Sequence, residues 1–77
     1  MDVTPVASST LATIAYDDAE RLLRLEFRSG AIYRYFDVPA AIHAALQCAP
    51  SKGGYFNRWI RGHFRYAGGA GAQAGEA

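Results

Sequence analysis

The chain has 77 residues, a net charge of +1 and one cysteine, which limits it to one small domain without an intrachain disulfide. It contains no run of about 18 apolar residues that would cross a membrane. Its first residues lack the basic and apolar regions of a signal peptide. These features predict a cytoplasmic protein without a membrane partner. We expect a flexible N-terminus over residues 1–8, a folded domain over 9–66 and a disordered tail over 67–77, which is rich in Ala and Gly.

Three segments have the composition of β-strands. Residues 10–16 are rich in β-formers, and residues 21–28 alternate apolar with charged side chains. Residues 31–36 contain Tyr and Phe, and residues 17–20 form a polar turn. Together they predict a three-stranded antiparallel meander.

The turn before the third strand decides where its tyrosines point. A two-residue turn places Tyr33 and Tyr35 on the charged face of the preceding strand. A three-residue turn, with Gly30 in the left-handed region, pairs Phe27 with Ala31 and turns both tyrosines into the core. We prefer the three-residue turn because it gathers these rings with the apolar side chains of the second strand, Leu23, Leu25 and Phe27.

Two helices are expected after the strands. Pro39 suits the first turn of a helix whose apolar stripe is Ile42, Ala45, Leu46 and Ala49. Pro50 ends that helix, and Ser51 caps a second helix that runs to about residue 61. The predicted fold is α+β, with a three-stranded antiparallel meander followed by two helices packed on one face. The sequence does not decide whether a short fourth strand forms near residues 64–66.

An ordered series of residues runs through these elements. It comprises Tyr16-Asp17, Leu23-x-Leu25-x-Phe27, Ser29-Gly30-x-x-Tyr33-x-Tyr35-x-x-Val38-Pro39, Ala49-Pro50-Ser51-Lys52-Gly53-x-Tyr55-Phe56-Asn57 and Ile60-Arg61. The series resembles the KTSC domain family, named for the C-terminus of some lysyl-tRNA synthetases and also found as stand-alone bacterial proteins. The resemblance runs from about Ser9 to Tyr66 and departs at Ala31, where Gly is expected. It implies a domain without an established activity, for which RNA binding has been proposed, and it does not imply tRNA itself as the partner.

Positive charge is concentrated in the C-terminal part of the chain. Residues 1–38 carry four arginines against six acidic residues, whereas residues 39–67 carry four cations and no acidic residue. Backbone N–H groups at the start of the second helix suit a phosphate, as does the guanidinium fork. We therefore predict a phosphate-binding patch of Ser51, Lys52, Gly53, Gly54, Arg58, Arg61 and Arg65. The alternative is an ordinary interhelical turn followed by a solvated helix face.

Aromatic side chains supply a second candidate feature. Stacking on unpaired bases is typical of single-strand binders, and the candidates are Tyr33, Tyr35, Tyr55 and Trp59, each of which has a core position as its alternative. The sequence thus predicts a non-enzymatic accessory domain that binds RNA or single-stranded nucleic acid. A second hypothesis is a protein–protein interaction module or homodimer that uses an apolar patch of Ile32, Phe36 and Trp59.

No residue set predicts a catalytic or metal centre. His43 and Cys48 are five positions apart on one helix and point about 140° away from each other. No third group orients them, and Cys48 is expected to be a small buried residue. Two histidines and one cysteine do not form a zinc site. We therefore expect neither enzyme activity nor a cofactor.

Overall fold

The fold is one antiparallel sheet covered on one face by helices. A computed structural model describes residues 2–69. Five strands lie in sequential order, namely β1 Asp2–Pro5, β2 Leu11–Asp17, β3 Leu22–Phe27, β4 Ile32–Tyr35 and β5 Tyr66–Gly69. Between β4 and β5 lie α1 Ala40–Cys48 and α2 Lys52–Tyr55, which continues directly as a π-helix, Phe56–Ile60. The α+β class is confirmed, but the expectation of three strands is wrong.

The first additional strand is β1, in a segment that the sequence placed outside the folded unit. β1 pairs with β2 along its whole length. The Arg28 guanidinium holds the following segment, because its Nη2 donates to the Val6 carbonyl (2.9 Å) and its Nε donates to the Ser8 carbonyl (2.8 Å). β1 is thus held by backbone pairing and a distant arginine, which explains why its own sequence shows no strand pattern.

The second additional strand, β5, is an edge strand next to β4. It forms where the sequence left a short fourth strand undecided. It begins at Tyr66 and extends into residues 67–69, which the sequence assigned to a tail. Gly68 has a φ of +112°, and a Cβ there would collide with the carbonyl of Ile32 on the neighbouring strand. The small residues that resemble a tail therefore permit close backbone pairing with β4. Residues 70–77 of the expected tail lie outside the described residues.

The preferred register of the β3–β4 hairpin is confirmed. The Phe27 amide donates to the Ala31 carbonyl (2.8 Å), and Gly30 occupies the left-handed region with a φ of +97°. Both tyrosines of β4 therefore face the helices, and Tyr35 is only 3% exposed.

The core lies between the sheet and the helical layer. It contains Leu11, Ile14, Leu23, Leu25, Tyr35, Val38, Leu46, Phe56 and Ile60. Among α1 residues Leu46 is buried, whereas Ala45 of the expected stripe is exposed. Cys48, which was expected to be buried, is exposed because it lies two positions beyond Leu46 on the opposite side of α1. No described helix has the length and apolar character needed to cross a bilayer.

The second helical segment begins as predicted but does not stay α-helical. Ser51 Oγ accepts a hydrogen bond from the Gly54 amide at 3.2 Å, which is the expected N-cap. From Phe56 onwards the helical hydrogen bonds join residues five positions apart instead of four. The Arg61 amide, for example, donates to the Phe56 carbonyl at 2.9 Å. Gly62, with a φ of +81°, follows the helix where the sequence indicated its end. Such π-turns occur often at functional sites.

Candidate functional site

An open groove of about 490 Å³ lies between the sheet and the π-helix. The core-facing side of β3 and β4 forms one wall, because the confirmed hairpin register turns both β4 tyrosines towards it. The π-helix and β5 supply the other walls. Five aromatic side chains line the groove: Phe27, Tyr33, Tyr35, Phe56 and Tyr66.

The tyrosines form a cluster in which one ring stays open to solvent. β5 pairing places Tyr66 opposite Tyr35, with ring centroids 5.6 Å apart. The ring centroids of Tyr66 and Tyr33 are also 5.6 Å apart, and the planes are tilted by 43°. Tyr66 is 52% exposed. A planar ligand can therefore lie against its ring without displacing the core.

Tyr35 lies at the inner end of this cluster. Burial raises the pKa of its phenol to about 12, and the phenols of Tyr33 and Tyr66 add to that effect while Arg61 opposes it. The Tyr35 hydroxyl is therefore protonated at neutral pH and is a hydrogen-bond donor.

Arg61 and Asn57 line the groove from the helical side. Arg61 Nη1 donates to Asn57 Oδ1 at 3.5 Å. Arg61 is the one charged side chain among the described residues that line the groove, and no carboxylate lines it. The groove therefore has a positive bias and suits an anionic or neutral aromatic ligand.

The other predicted cations have separate surroundings. The Arg58 guanidinium lies 5.5 Å from the ring centre of Trp59, and Lys52 Nζ donates to the Ala49 carbonyl at 3.2 Å. Arg65 lies 3.5 Å from the carboxylate of Asp37 and also covers the ring of Phe36. None of the three lines the aromatic groove, which leaves Arg61 as its cation.

Ser51, Gly53 and Gly54 of the predicted phosphate segment line a second, polar cleft of about 310 Å³, whereas Lys52 does not. Thr10 and Asn57 line both clefts, so the two are adjacent. Gly53 is buried, and a Cβ there would lie 2.6 Å from Thr10 Oγ1. This contact gives Gly53 a packing role. The alternative that the sequence left open was an interhelical turn that needs Gly for a positive φ, but among the described glycines only Gly30, Gly62 and Gly68 have a positive φ.

The stacking candidates divide into two groups. Tyr33 and Tyr35 line the groove, whereas Tyr55 and Trp59 form a separate pair with ring centroids 6.3 Å apart. Trp59 is 49% exposed and does not line the groove.

The hypothetical apolar patch is not assembled. Strand alternation turns Ile32 to the sheet face opposite Tyr33 and Tyr35. Phe36 directly follows β4, and its ring lies under the guanidinium of Arg65. Trp59 belongs to the helical layer that covers the face of Tyr33 and Tyr35. Ile32 and Trp59 therefore lie on opposite sides of the sheet. Within residues 2–69, no group of three or more His, Cys, Asp or Glu side chains is placed to hold a metal ion.

Comparison with known proteins identifies the family. The KTSC domain matches residues 7–64, which is most of the chain. The chain belongs to the KTSC domain family. The resemblance noted in the sequence is thereby confirmed.

Three relatives show where such KTSC domains occur. A segment of a lysine–tRNA ligase of a Nostoc species is 45% identical over 58 residues, covering 75% of this chain and 10% of the ligase. A protein of Stutzerimonas stutzeri is 43% identical over 60 residues, covering 77% of this chain and 84% of that protein. The crystal structure of a KTSC domain protein from Yersinia pestis superposes with a TM-score of 0.85 at 36% identity, covering 87% of this chain and 94% of the other. The present chain thus spans about a tenth of the ligase and most of the two smaller proteins.

The groove residues of this KTSC domain that were not predicted include Tyr66 and Asn57. Tyr66 was missed because its strand was left open, although its alternation with Arg65 was the signal that could have found it. Asn57 was missed because an amide side chain on a helix carries no distinctive pattern.

Proposed function

We propose that this KTSC domain is a non-enzymatic accessory domain, located in the cytoplasm, that binds RNA or single-stranded DNA without strong sequence preference. The observation that carries the proposal is the aromatic groove with Arg61 at its wall and the exposed ring of Tyr66. Aromatic rings bind bases by stacking, and a guanidinium binds phosphate.

The geometry favours single strands over duplexes. Every base in a duplex already stacks on its neighbours, whereas an unpaired base has free faces for a ring. The groove is open along one side, so a strand can enter laterally while the rest of its backbone stays in solvent. Recognition through stacking is tolerant of sequence, because every base has an aromatic face.

The charge arrangement favours weak, salt-sensitive binding. Arg61, which directly follows the π-helix, lines the groove and would contact a phosphate there. Arg58, an exposed π-helix residue three positions earlier beside Trp59, would provide a second contact. Two phosphate contacts on a single strand give a log–log salt slope of about −1.4. Four equally available cations would double this slope.

The relatives are compatible with this proposal and do not extend it. The ligase named above acts, by its name, on lysine and tRNA, and this domain corresponds to about a tenth of its length. The proposal therefore covers binding to single-stranded nucleic acid and includes neither ligase activity nor tRNA as the specific partner.

A titration with oligonucleotides tests the proposal. Eight-nucleotide RNA and DNA strands are added at low salt while backbone amide chemical shifts are recorded. We expect the largest shifts at Tyr33, Asn57, Arg61, Gly62 and Tyr66. Arg24 and Arg34, which pair across the opposite sheet face, are the internal control. No response to either strand at protein concentrations in the hundreds of micromolar would remove the proposal, and shifts centred on Arg24 and Arg34 would move the site to the other face.

A further inference from the structure

The phenol of Tyr35 is a buried polar group that makes no side-chain hydrogen bond to another described residue. Its side chain belongs to the core and is 3% exposed. Burying an unpaired hydroxyl costs stability, so such a group in a native protein calls for an explanation. Phenylalanine would fill the same space without that cost.

The Tyr35 side chain lines the groove. The groups that act on it electrostatically are Tyr33, Tyr66 and Arg61, all of which line the groove. The ring itself packs edge-on against Phe56, with centroids 5.7 Å apart, and that contact anchors the aromatic body in the core. This placement leaves the hydroxyl available to a ligand in the groove.

The residues that line the groove limit the kinds of ligand that can bind in it. A cluster of rings also suits a cationic ligand, but a cation would meet the Arg61 guanidinium and find no carboxylate among the lining residues. A planar base fits the ring walls and carries carbonyl oxygens and ring nitrogens that accept hydrogen bonds. A phosphate lacks the flat faces that the rings would cover.

We propose that the Tyr35 hydroxyl is a ligand-binding group that donates a hydrogen bond to an acceptor atom on the base of one unstacked nucleotide held in the groove. This inference rests on the proposed function and adds the base as the part that enters the groove. The ring of Tyr66 lies against the base, and Arg61 contacts the adjoining phosphate.

The substitution Tyr35→Phe tests the inference through two readouts of opposite sign. Because the hydroxyl makes no side-chain hydrogen bond within residues 2–69, we expect the melting temperature of Tyr35→Phe to be unchanged or raised by up to about 5 °C. Binding of an eight-nucleotide RNA, measured by fluorescence anisotropy at low salt, should weaken about five- to tenfold, which is the range for one lost hydrogen bond.

Tyr16→Phe is the matched control. The Tyr16 hydroxyl donates to the Val38 carbonyl, and Tyr16 does not line the groove. This variant should lower the melting temperature and leave RNA affinity within about twofold of wild type.

An RNA of the same length without bases tests the acceptor. The difference in affinity between wild type and Tyr35→Phe should vanish on this abasic strand. If it persists, the acceptor lies on the sugar–phosphate backbone and the assignment to the base is overturned.

The remaining outcomes separate the two proposals. Equal RNA affinity of wild type and Tyr35→Phe overturns the inference and leaves the proposed function standing. A lower melting temperature of Tyr35→Phe shows that the hydroxyl has a partner within the protein, which also overturns the inference. Failure of the wild type to bind any strand overturns both.

Discussion

The phenol ring of Tyr16 stacks on the imidazole of His43, with centroids 4.6 Å apart and planes 13° from parallel. The Tyr16 hydroxyl also donates to the carbonyl of Val38, just before α1. One side chain of β2 thus holds both the entry to α1 and its first turns. Burial in this contact lowers the pKa of His43, because the charged imidazolium loses hydration there.

The first prediction concerns pH. The pKa of His43 is lowered in the folded state relative to its ordinary value of 6.5, so the unfolded chain binds the proton more readily. Stability is therefore fully present above pH 6.5 and is lost as the pH falls from 6.5 towards the folded-state pKa. We expect the urea midpoint of the wild type to decrease over this window.

A variant that cannot titrate isolates this contribution. His43→Gln should show a smaller decrease in urea midpoint between pH 7 and pH 5, at about the same protein concentration and ionic strength. His63→Gln, which changes an exposed imidazole, is the control and should retain the wild-type decrease. Equal pH dependence of wild type and His43→Gln would contradict the assignment.

The second prediction concerns Gly53. Alanine at this position would place its Cβ 2.6 Å from Thr10 Oγ1 and 2.9 Å from Thr10 Cβ, so the N-terminal segment must move. We expect Gly53→Ala to lower the free energy of unfolding by about 1–3 kcal/mol. Thr10→Ala removes two of the three close atoms, so the double variant should lose less than the sum of the single losses. Additive losses in chemical denaturation would show that the two positions do not meet.

The central elements follow from local patterns, whereas the edges of the sheet do not. β3 alternates apolar and charged residues, and its hairpin register follows from the need to gather Tyr33 and Tyr35 with that apolar face. β1 has no such pattern, because its position depends on pairing with β2 and on the side chain of Arg28. Partner choice at an edge is a non-local property that composition does not reveal.

The π-helix likewise could not be predicted from local sequence. An α-helix and a π-helix over residues 56–60 differ by one residue in hydrogen-bond spacing, and helix propensity does not distinguish them. Phe56 and Ile60 are both buried, and residues four positions apart share a face in either kind of helix. The sequence therefore identifies a helical segment and not its register.

The candidate site also could be predicted only in part from the sequence. Residue chemistry alone identified Tyr33, Tyr35 and Arg61 as candidates, and all three line the groove. The contacts that the two tyrosines make with Tyr66 depend on β5, a strand that the sequence did not decide. The predicted patch of four cations was based on chain proximity, but Arg65 contacts Asp37 and Lys52 contacts a backbone carbonyl.

The third prediction concerns the helix cap. Ser51 Oγ accepts from the Gly54 amide, so Ser51→Ala leaves that donor without its protein partner. We expect a loss of about 1 kcal/mol in the free energy of unfolding. Ser9→Ala is the control, since Ser9 is exposed and its hydroxyl makes none of the side-chain hydrogen bonds of the described residues. A loss for Ser9→Ala as large as for Ser51→Ala would show that the cap contributes nothing specific.

The fourth prediction concerns the different contributions of Arg61 and Arg65 to nucleic-acid binding. Arg61 lines the groove, whereas Arg65 lies beside Asp37 and Phe36, so neutralising Arg61 should affect nucleic-acid binding more. We expect Arg61→Gln to weaken binding of a short RNA and to make the log–log salt slope shallower by about 0.7, which corresponds to one lost phosphate contact. Arg65→Gln should change neither quantity appreciably, because loss of an exposed ion pair has little effect. Dissociation constants of both variants and the wild type over a salt series provide the measurement. Equal slopes for Arg61→Gln and wild type would show that Arg61 contacts no phosphate, and a loss confined to Arg65→Gln would place the strand at the sheet edge near Asp37.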